Sequence, residues 1–333
     1  MKKLPLSEAV GHALAHDITQ ITADGKTARF SRGHVLIPED IPTLLDMGKH
    51  HIYVGAPPVG QVHEEDAGRV AAEILAGEHI EIPPPAEGRF ALTASTKGVL
   101  SIQSEGLIAL NSIPDFTAAT LPNFASVDIG QTVAGVRIVP LFTDEKNVAE
   151  LASVEKAYGK LLHVRPFLPK KVGIIITGTE IYSGRIKDRF EAVLRKKLST
   201  FDATILAVIK CPDDCSSIQS AAENLLQAGA DILFFTGGMS VDPDDLTPTA
   251  IRTLGSEVIT QGIPVQPGNM LLLARLGNTT LLGLPGSVMH HETTALDLIL
   301  PRIFADISIT QSDIQKMGEG GLLSHSGRGT HPC

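Results

Sequence analysis

The chain has 333 residues, of which 43% are hydrophobic and 20% charged, and its formal net charge is −9. This length allows two or three compact units, each with its own core. The acidic balance argues against general nucleic-acid binding, and the three cysteines are too few for a disulfide framework. Since no apolar run is long enough for a bilayer span and the amino end lacks a signal-peptide core, we expect a cytoplasmic protein without nucleic-acid or membrane partners.

The first 165 residues predict two small α+β modules. In residues 1–60, strand-like runs at 13–21 and 28–37 precede a short helix at 38–48 and a strand at 51–54. Residues 61–165 form the second predicted module, with helices near 67–76 and 148–158 and strands near 89–93, 99–102 and 132–140. The stretch at 164–171, which is rich in proline and lysine, is predicted to be a hinge.

From residue 171 onward, apolar strands alternate with segments of helical periodicity. This alternation predicts right-handed crossovers and a mostly parallel sheet covered by helices on both faces. We therefore predict a doubly wound α/β domain over residues 166–305, with its ligand site at the carboxyl ends of the strands. Residues 306–333, which end in a glycine-rich stretch, are predicted to be a disordered tail.

Two glycine turns follow predicted strands and are themselves followed by carboxylates. They are residues 177–180 (Thr-Gly-Thr-Glu) and 236–245 (Thr-Gly-Gly-Met-Ser-Val-Asp-Pro-Asp-Asp). Such a turn brings backbone N–H groups to a phosphate, and the acids can hold a divalent cation. The sequence therefore predicts a site for a phosphorylated ligand. Each signal is weak by itself, because Asp213 and Asp214 could simply cap a helix and the acids at 242–245 could form a solvated turn.

These two turns, together with residues 266–268 (Gln-Pro-Gly) and 284–286 (Leu-Pro-Gly), resemble the molybdopterin-binding domain shared by the MoeA, MogA, gephyrin and CinA families. The motifs occur in the family's order. Residues 6–17 and 33–40 also resemble pieces of MoeA-type proteins, more loosely. The resemblance implies a homo-oligomer acting in molybdenum cofactor biosynthesis, with molybdopterin, a phosphorylated pterin, as its ligand. It further implies Mg²⁺, an ATP or AMP moiety, and molybdoenzymes or proteins of the cofactor pathway as partners.

Carried over position by position, the resemblance assigns roles to individual residues. It implies catalytic roles for Glu180, Asp213 and Asp245, and a metal site at Asp242 and Asp245. The residues that would bind the pterin and its phosphate are Thr177, Gly178, Gly237, Gly238, Ser240, Pro267, Gly268, Pro285, Gly286 and Ser287.

The chain also departs from the family. Asn269 takes the place of the lysine in the family's Pro-Gly-Lys-Pro turn, the Ser-x-Met-Asp-Gly segment is missing, and we expect the small β-domain of MoeA-type proteins to be missing too. Three functions therefore compete: an enzyme that adenylylates molybdopterin or inserts the metal, a non-catalytic carrier or sensor of the cofactor, and a CinA-like hydrolase of pyridine nucleotides or ADP-ribose. The sequence favours molybdopterin binding and leaves catalysis undecided.

Overall fold

The structure is a computed structural model that describes residues 1–22, 25–239, 242 and 245–323. It divides into two compact units. The amino-terminal unit comprises residues 1–123 and 127–165, and the carboxy-terminal unit comprises residues 124–126 and the chain from 166 onward. Within the described residues, no helix is both long and apolar enough to span a membrane.

The first half of the chain mixes short strands and helices. Its helices are α1 (Asp40–Asp46), α2 (Glu64–Leu75), α3 (Ser104–Ser112) and α4 (Glu145–Tyr158). Its strands are β1 (Lys2–Pro5), β2 (Ile18–Thr22), β3 (Gly25–Phe30), β4 (His51–Val54), β5 (Gln61–His63), β6 (Ile80–Glu81), β7 (Arg89–Ala94), β8 (Gly98–Ile102), β9 (Phe116–Thr120), β10 (Ser126–Val127), β11 (Thr132–Ile138), β12 (Phe142–Asp144) and β13 (Leu162–Pro166).

Two hydrophobic cores hold this half together. The smaller one includes Leu14 and Leu44, and the larger one includes Phe90 and Leu151. The largest sheet around them has the strand order β6-β7-β11-β9 and is antiparallel throughout. The small amino-terminal α+β modules are thus confirmed as a fold class, while their boundary near residue 60 stays a prediction.

The carboxy-terminal unit contains a larger sheet. Its strands are β14 (Lys170–Thr177), β15 (Ala203–Cys211), β16 (Ile232–Thr236), β17 (Glu257–Gln261), β18 (Leu272–Leu276) and β19 (Thr279–Leu284). Its helices are α5 (Thr179–Tyr182), α6 (Phe190–Leu198), α7 (Cys215–Gln227), α8 (Thr247–Thr253), α9 (Ala295–Phe304) and α10 (Gln311–Lys316). The strand order is β15-β14-β16-β19-β18-β17. The first four strands pair in parallel and the last two antiparallel, which confirms the predicted mostly parallel sheet.

Helices cover both faces of this sheet because consecutive residues in the middle of its central strands are apolar and buried. Successive side chains of a strand point to opposite faces. Accordingly, Ile174 packs in a core with residues of α6 and α9, whereas Ile175 packs in a second core with residues of α7 and α8. A sheet buried on both faces is the doubly wound arrangement that the sequence predicts. Next to the edge strand β17, the strands β18 and β19 are joined by the two-residue turn of Gly277 and Asn278.

The structure differs from the predicted tail between residues 306 and 323. Thr310 and Asp313 form a reciprocal capping box at the start of α10, so its first N–H groups have acceptors. The guanidinium of Arg302 donates to the Asp313 carboxylate at 3.1 Å, and Ile309 and Ile314 are buried in the core of the unit. The remaining tail, residues 324–333, lies outside the described residues.

Candidate functional site

The carboxyl ends of three neighbouring strands lie level with one another. Thr236 of β16 pairs with Ile176 of β14 on one side and with Leu284 of β19 on the other. Because β18 runs antiparallel to β19, its beginning, just after Gly268, lies at the same edge. We call the residues that follow these strand ends, together with the loop before β18, the carboxyl rim. The rim therefore brings together the predicted turns at 177–180, 237–238, 267–268 and 285–287.

The turns after β14 and β16 touch each other directly. Gly237 has φ +86°, and a Cβ on it would lie 2.4 Å from the carbonyl oxygen of Thr177. Gly238 has φ +55°, and its Cβ would lie 2.9 Å from the hydroxyl of Thr247. Thr177 Oγ1 donates to the Thr236 carbonyl at 3.1 Å, and Thr247 Oγ1 donates to the Gly237 carbonyl at 2.9 Å. Only glycine fits these two positions, for reasons of packing as well as conformation.

Asp213 connects the turn after β15 to the turn after β14. Its Oδ2 accepts a hydrogen bond from the Thr179 N–H at 2.7 Å and another from the Thr179 hydroxyl at 3.3 Å. Asp214 has a different role, since its Oδ1 accepts from Ser216 Oγ at 2.6 Å and from the Ser217 N–H at 2.8 Å. These hydrogen bonds hold the pKa of Asp214 below its ordinary value. Asp214 caps α7, whereas Asp213 belongs to the rim.

The other predicted acids have unused carboxylates. Glu180 and Asp242 are exposed and Asp245 is half-buried. The Asp245 N–H donates to the Asp242 carbonyl at 2.9 Å, so these two residues lie close together. Among the described residues, none of these three carboxylates has a hydrogen-bond or ion-pair partner, and no group of three or more His, Cys, Asp or Glu side chains could hold a metal. Ser240 and Asp244 lie outside the described residues, so the metal site at Asp242 and Asp245 stays a prediction.

The two cysteines beside the rim are free thiols in the structure. Cys211 ends β15, and burial, reinforced by the charges of Asp213 and Asp214, raises the pKa of its thiol to about 11. The Sγ of Cys215 lies 4.0 Å from the carbonyl oxygen of Leu246. This contact places the start of α7 beside the residue that follows Asp245.

One glycine of the rim, Gly286, faces open space. It is exposed, and a Cβ built on it would meet no atom within 4 Å. Gly178 has φ +141°, and a Cβ on it would be in van der Waals contact with Ile181, at 3.5 Å or more. The hydroxyls of Ser287 and Thr236 are buried atoms with no hydrogen-bond partner among the described residues. An open backbone next to unused hydroxyls is what a polar ligand requires.

The loop at Pro267 and Gly268 packs against the start of α9. The peptide bond before Pro267 is cis, and the Pro267 carbonyl accepts the Ala295 N–H at 3.0 Å. Gly268 has φ +110°, and a Cβ there would lie 2.8 Å from the Ala295 nitrogen. Packing therefore accounts for this glycine.

Sequence reasoning misses two residues that shape the rim. Thr247 is the first residue of α8, and its hydroxyl donates to the Gly237 carbonyl. Met239 lies over β19, because a Cβ on Gly283 would come within 2.6 Å of its sulfur. A glycine inside an otherwise apolar strand signals such a close approach, so Gly283 is the feature that could have revealed this contact.

A cavity of about 340 Å³ flanks the Asp213 side of the rim. Its lining residues include Tyr182 of α5, Pro212, and Ser216 and Ser220 of α7. A second cavity, of about 240 Å³, lies at the opposite end of the strands, between Lys170 and Arg275. The first of these cavities adjoins the candidate site and the second does not.

Comparison with known proteins identifies two families along the chain. Residues 173–305 match a family described as a probable molybdopterin binding domain. Residues 3–56 match a family described as a domain of unknown function (DUF8806).

Relatives of known name are similar over part of the chain. A molybdopterin molybdenumtransferase of Synechococcus elongatus is 27% identical over 144 residues, which cover 40% of this chain and 36% of the relative. A CinA-like protein of Mycobacterium sp. (strain JLS) is 32% identical over 90 residues, or 27% of this chain and 21% of the relative. A crystal structure of the molybdopterin biosynthesis enzyme MoaB from Thermus thermophilus is 19% identical, with a TM-score of 0.34, and covers 43% of this chain and 97% of that one. The chain thus spans about a third or less of the length of these curated relatives.

Proposed function

Because residues 173–305 form a domain of the probable molybdopterin-binding family, we propose that this protein binds molybdopterin at the carboxyl rim and acts in molybdenum cofactor biosynthesis. The match confirms the resemblance stated from the motifs. The observation that carries the proposal is the set of unused groups on the rim: the open backbone at Gly286 and the hydroxyl of Ser287, which has no hydrogen-bond partner among the described residues. These groups support a site for a ligand with several hydrogen-bonding atoms.

The proposed contacts follow from which groups the fold leaves unused. Gly178, Gly286 and Ser287 contact the phosphate and the pterin directly. Thr177, Gly237, Gly238, Pro267, Gly268 and Pro285 hold the rim in shape, since their groups pack against neighbouring turns or are buried. Ser240 is proposed as a further ligand contact by resemblance alone.

A divalent cation fits the acids of the rim. Mg²⁺ is commonly held by one or two carboxylates together with phosphate oxygens and water, so it does not require a cluster of three protein ligands. Asp242 and Asp245 are joined by a backbone hydrogen bond, their carboxylates have no partner among the described residues, and they would hold the ion. When bound, it would neutralise the phosphate of the ligand against the acidic rim.

Binding is tested by calorimetry of the purified chain with molybdopterin. We expect saturable binding that weakens about tenfold in Ser287→Ala, because a hydrogen bond to a charged group contributes about 1.4 kcal/mol or more. Asp214→Asn is the matched control, since this side chain caps α7 and should leave affinity unchanged. A chain that does not bind molybdopterin contradicts the proposal.

Catalysis is a separate part of the proposal. Glu180, Asp213 and Asp245 would carry Mg²⁺-dependent adenylyl transfer from ATP, or cleavage of an AMP moiety during metal insertion. We expect Glu180→Gln and Asp245→Asn to abolish turnover while retaining the fold and molybdopterin binding. If the wild-type chain binds the pterin but turns over neither ATP nor molybdate, it is a carrier or sensor, which the Asn269 departure favours.

The similarity to a CinA-like protein favours a second candidate, hydrolysis of pyridine nucleotides or ADP-ribose. Release of ribose phosphate from ADP-ribose, without molybdopterin binding, would select this alternative. We further propose a cytoplasmic homo-oligomer that exchanges its ligand with molybdoenzymes or other proteins of the pathway. Light scattering coupled to size-exclusion chromatography measures the oligomeric state directly.

A further inference from the structure

A run of basic residues leads from the turn after β14 toward the turn after β19. Residues 183–189 (Ser-Gly-Arg-Ile-Lys-Asp-Arg), here called the basic segment, begin directly after α5 and end at the start of α6. They carry Arg185, Lys187 and Arg189, which are three cations within five residues. The proposed mechanism uses none of them.

Hydrogen bonds fix both ends of the basic segment. At its beginning, the N–H of Arg185 donates to the carbonyl of Glu180 at 2.9 Å, which folds the segment back onto the turn after β14. Toward its end, Asp188 Oδ1 accepts the N–H of Phe190 at 2.8 Å and so anchors the start of α6. The backbone around the three cations is therefore held in place.

The far end of the basic segment lies beside the turn after β19. Phe190, the first residue of α6, belongs to the same buried core as Val288. Val288 lies in the short helical turn Gly286–Met289, which packs against α6. The segment therefore leads from the turn at Gly178 to the neighbourhood of the open glycine at 286.

The charges of the basic segment have no partners of their own. The side chains of Arg185, Lys187 and Arg189 are exposed, and within the described residues none of them forms an ion pair or a hydrogen bond. Unpaired exposed cations are ordinarily just solvated. Here, however, three cluster on a chain of net charge −9, whose many carboxylates could have paired with them. Neighbouring like charges repel, and a bound anion would relieve that repulsion.

The acids of the rim create a need for such cations. An anionic ligand at the rim meets the carboxylates of Glu180, Asp213 and Asp245, which repel it. We propose that Arg185, Lys187 and Arg189 together bind the phosphate or diphosphate group of the ligand. This inference deepens the proposed function and relies on it for the position of the ligand. The basic segment would hold the anion from the α6 side.

The test uses inorganic pyrophosphate as the probe, with the full chain, no added divalent cation, and calorimetry as the readout. Arg185→Gln, Lys187→Gln and Arg189→Gln should each weaken binding about threefold, and the triple variant about thirtyfold, as expected for exposed charge-assisted contacts. Lys196→Gln is the matched control, because Lys196 is an exposed, unpaired lysine near the other end of α6. It should bind like the wild type. All four positions are exposed, so circular dichroism should show an unchanged fold.

Three results would overturn the inference: a wild-type chain that does not bind pyrophosphate, a triple variant that binds it as tightly as the wild type, or an equal loss in Lys196→Gln. The proposed function fails separately. If the chain binds pyrophosphate through the basic segment but does not bind molybdopterin, the proposed function is wrong and this inference stands. If the triple variant binds molybdopterin as tightly as the wild type, this inference is wrong and the proposed function stands.

Discussion

The turns after β16 and β19 leave the same edge of the sheet, yet the fold uses them in opposite ways. Gly237 itself is engaged by its neighbours: it packs against Thr177, and its carbonyl accepts the Thr247 hydroxyl. Around Gly286 the backbone faces open space, and the neighbouring Ser287 hydroxyl has no partner among the described residues. Two similar glycine turns can therefore serve different purposes, one supporting the rim and the other leaving groups available to a ligand.

The largest expected effect tests the engaged turn. Gly237→Ala places a methyl group 2.4 Å from a backbone oxygen at φ +86°, where nothing can move aside cheaply. We expect a loss of more than about 3 kcal/mol in the free energy of unfolding, measured by urea denaturation. Gly229→Ala is the control, since Gly229 has a similar φ of +82° but open space around it, and should lose only about 1 kcal/mol. Equal losses would mean that conformation alone, and not contact between the turns, requires the glycine.

A smaller effect is expected from a pair of threonines. Thr177→Val removes a buried hydroxyl that donates to the Thr236 carbonyl, which should cost about 1 to 1.5 kcal/mol of stability. Thr236→Val removes a hydroxyl with no described partner and should change stability by less than about 0.5 kcal/mol. Thermal unfolding of the two variants compares them directly. If Thr236→Val is the more costly change, its hydroxyl is not available to a ligand and the contrast is wrong.

The comparison of engaged and unused groups also applies to the acids, where it concerns how stability depends on pH. Hydrogen bonds from Ser216 and Ser217 lower the pKa of Asp214 in the folded state, so its stabilising contribution is complete above the unfolded pKa and is lost as the pH falls through the folded value. The stability difference between the wild type and Asp214→Ala should therefore be constant near neutral pH and shrink below about pH 4. Urea denaturation of the wild type and Asp214→Ala at a series of pH values measures this difference. A difference that stays constant through the acid range would contradict this assignment.

The smallest effect on stability is expected at the open turn. Gly286→Ala adds a methyl group that meets no atom within 4 Å, so the free energy of unfolding should change by less than about 0.5 kcal/mol. If the ligand approaches this backbone, the same methyl group should weaken molybdopterin binding about tenfold. Calorimetry and urea denaturation of one preparation measure both quantities. Unchanged affinity would remove Gly286 from the proposed ligand contacts.

Much of the carboxy-terminal fold could be predicted from local pattern. Uninterrupted apolar runs such as 172–177 are typical of strands buried on both faces, and their alternation with helical segments fixes a mostly parallel sheet. The ordered part of the carboxyl end was missed, although its Thr310-x-x-Asp313 pattern is a visible capping box. The glycine-rich composition farther along outweighed that local signal.

The site was predictable only in part. Each glycine turn directly follows a predicted strand, and this was enough to predict that the turns lie at one edge of the sheet, because parallel strands end together. It could not tell which groups remain unused, since that depends on contacts between distant segments. Asp213 and Asp214 are adjacent in sequence, yet one contacts Thr179, 34 residues away, and the other its own helix. No periodicity encodes that difference.

The hairpin between β18 and β19 is a suitable place to attach a label to this protein. Its turn, Gly277 and Asn278, is exposed and lies at the end of the sheet away from the rim. A Cβ on Gly277 would meet nothing within 4 Å, so local crowding does not restrict this point. A short epitope or fluorescent label inserted there would mark the protein for immobilisation or imaging while leaving the ligand-binding edge unobstructed.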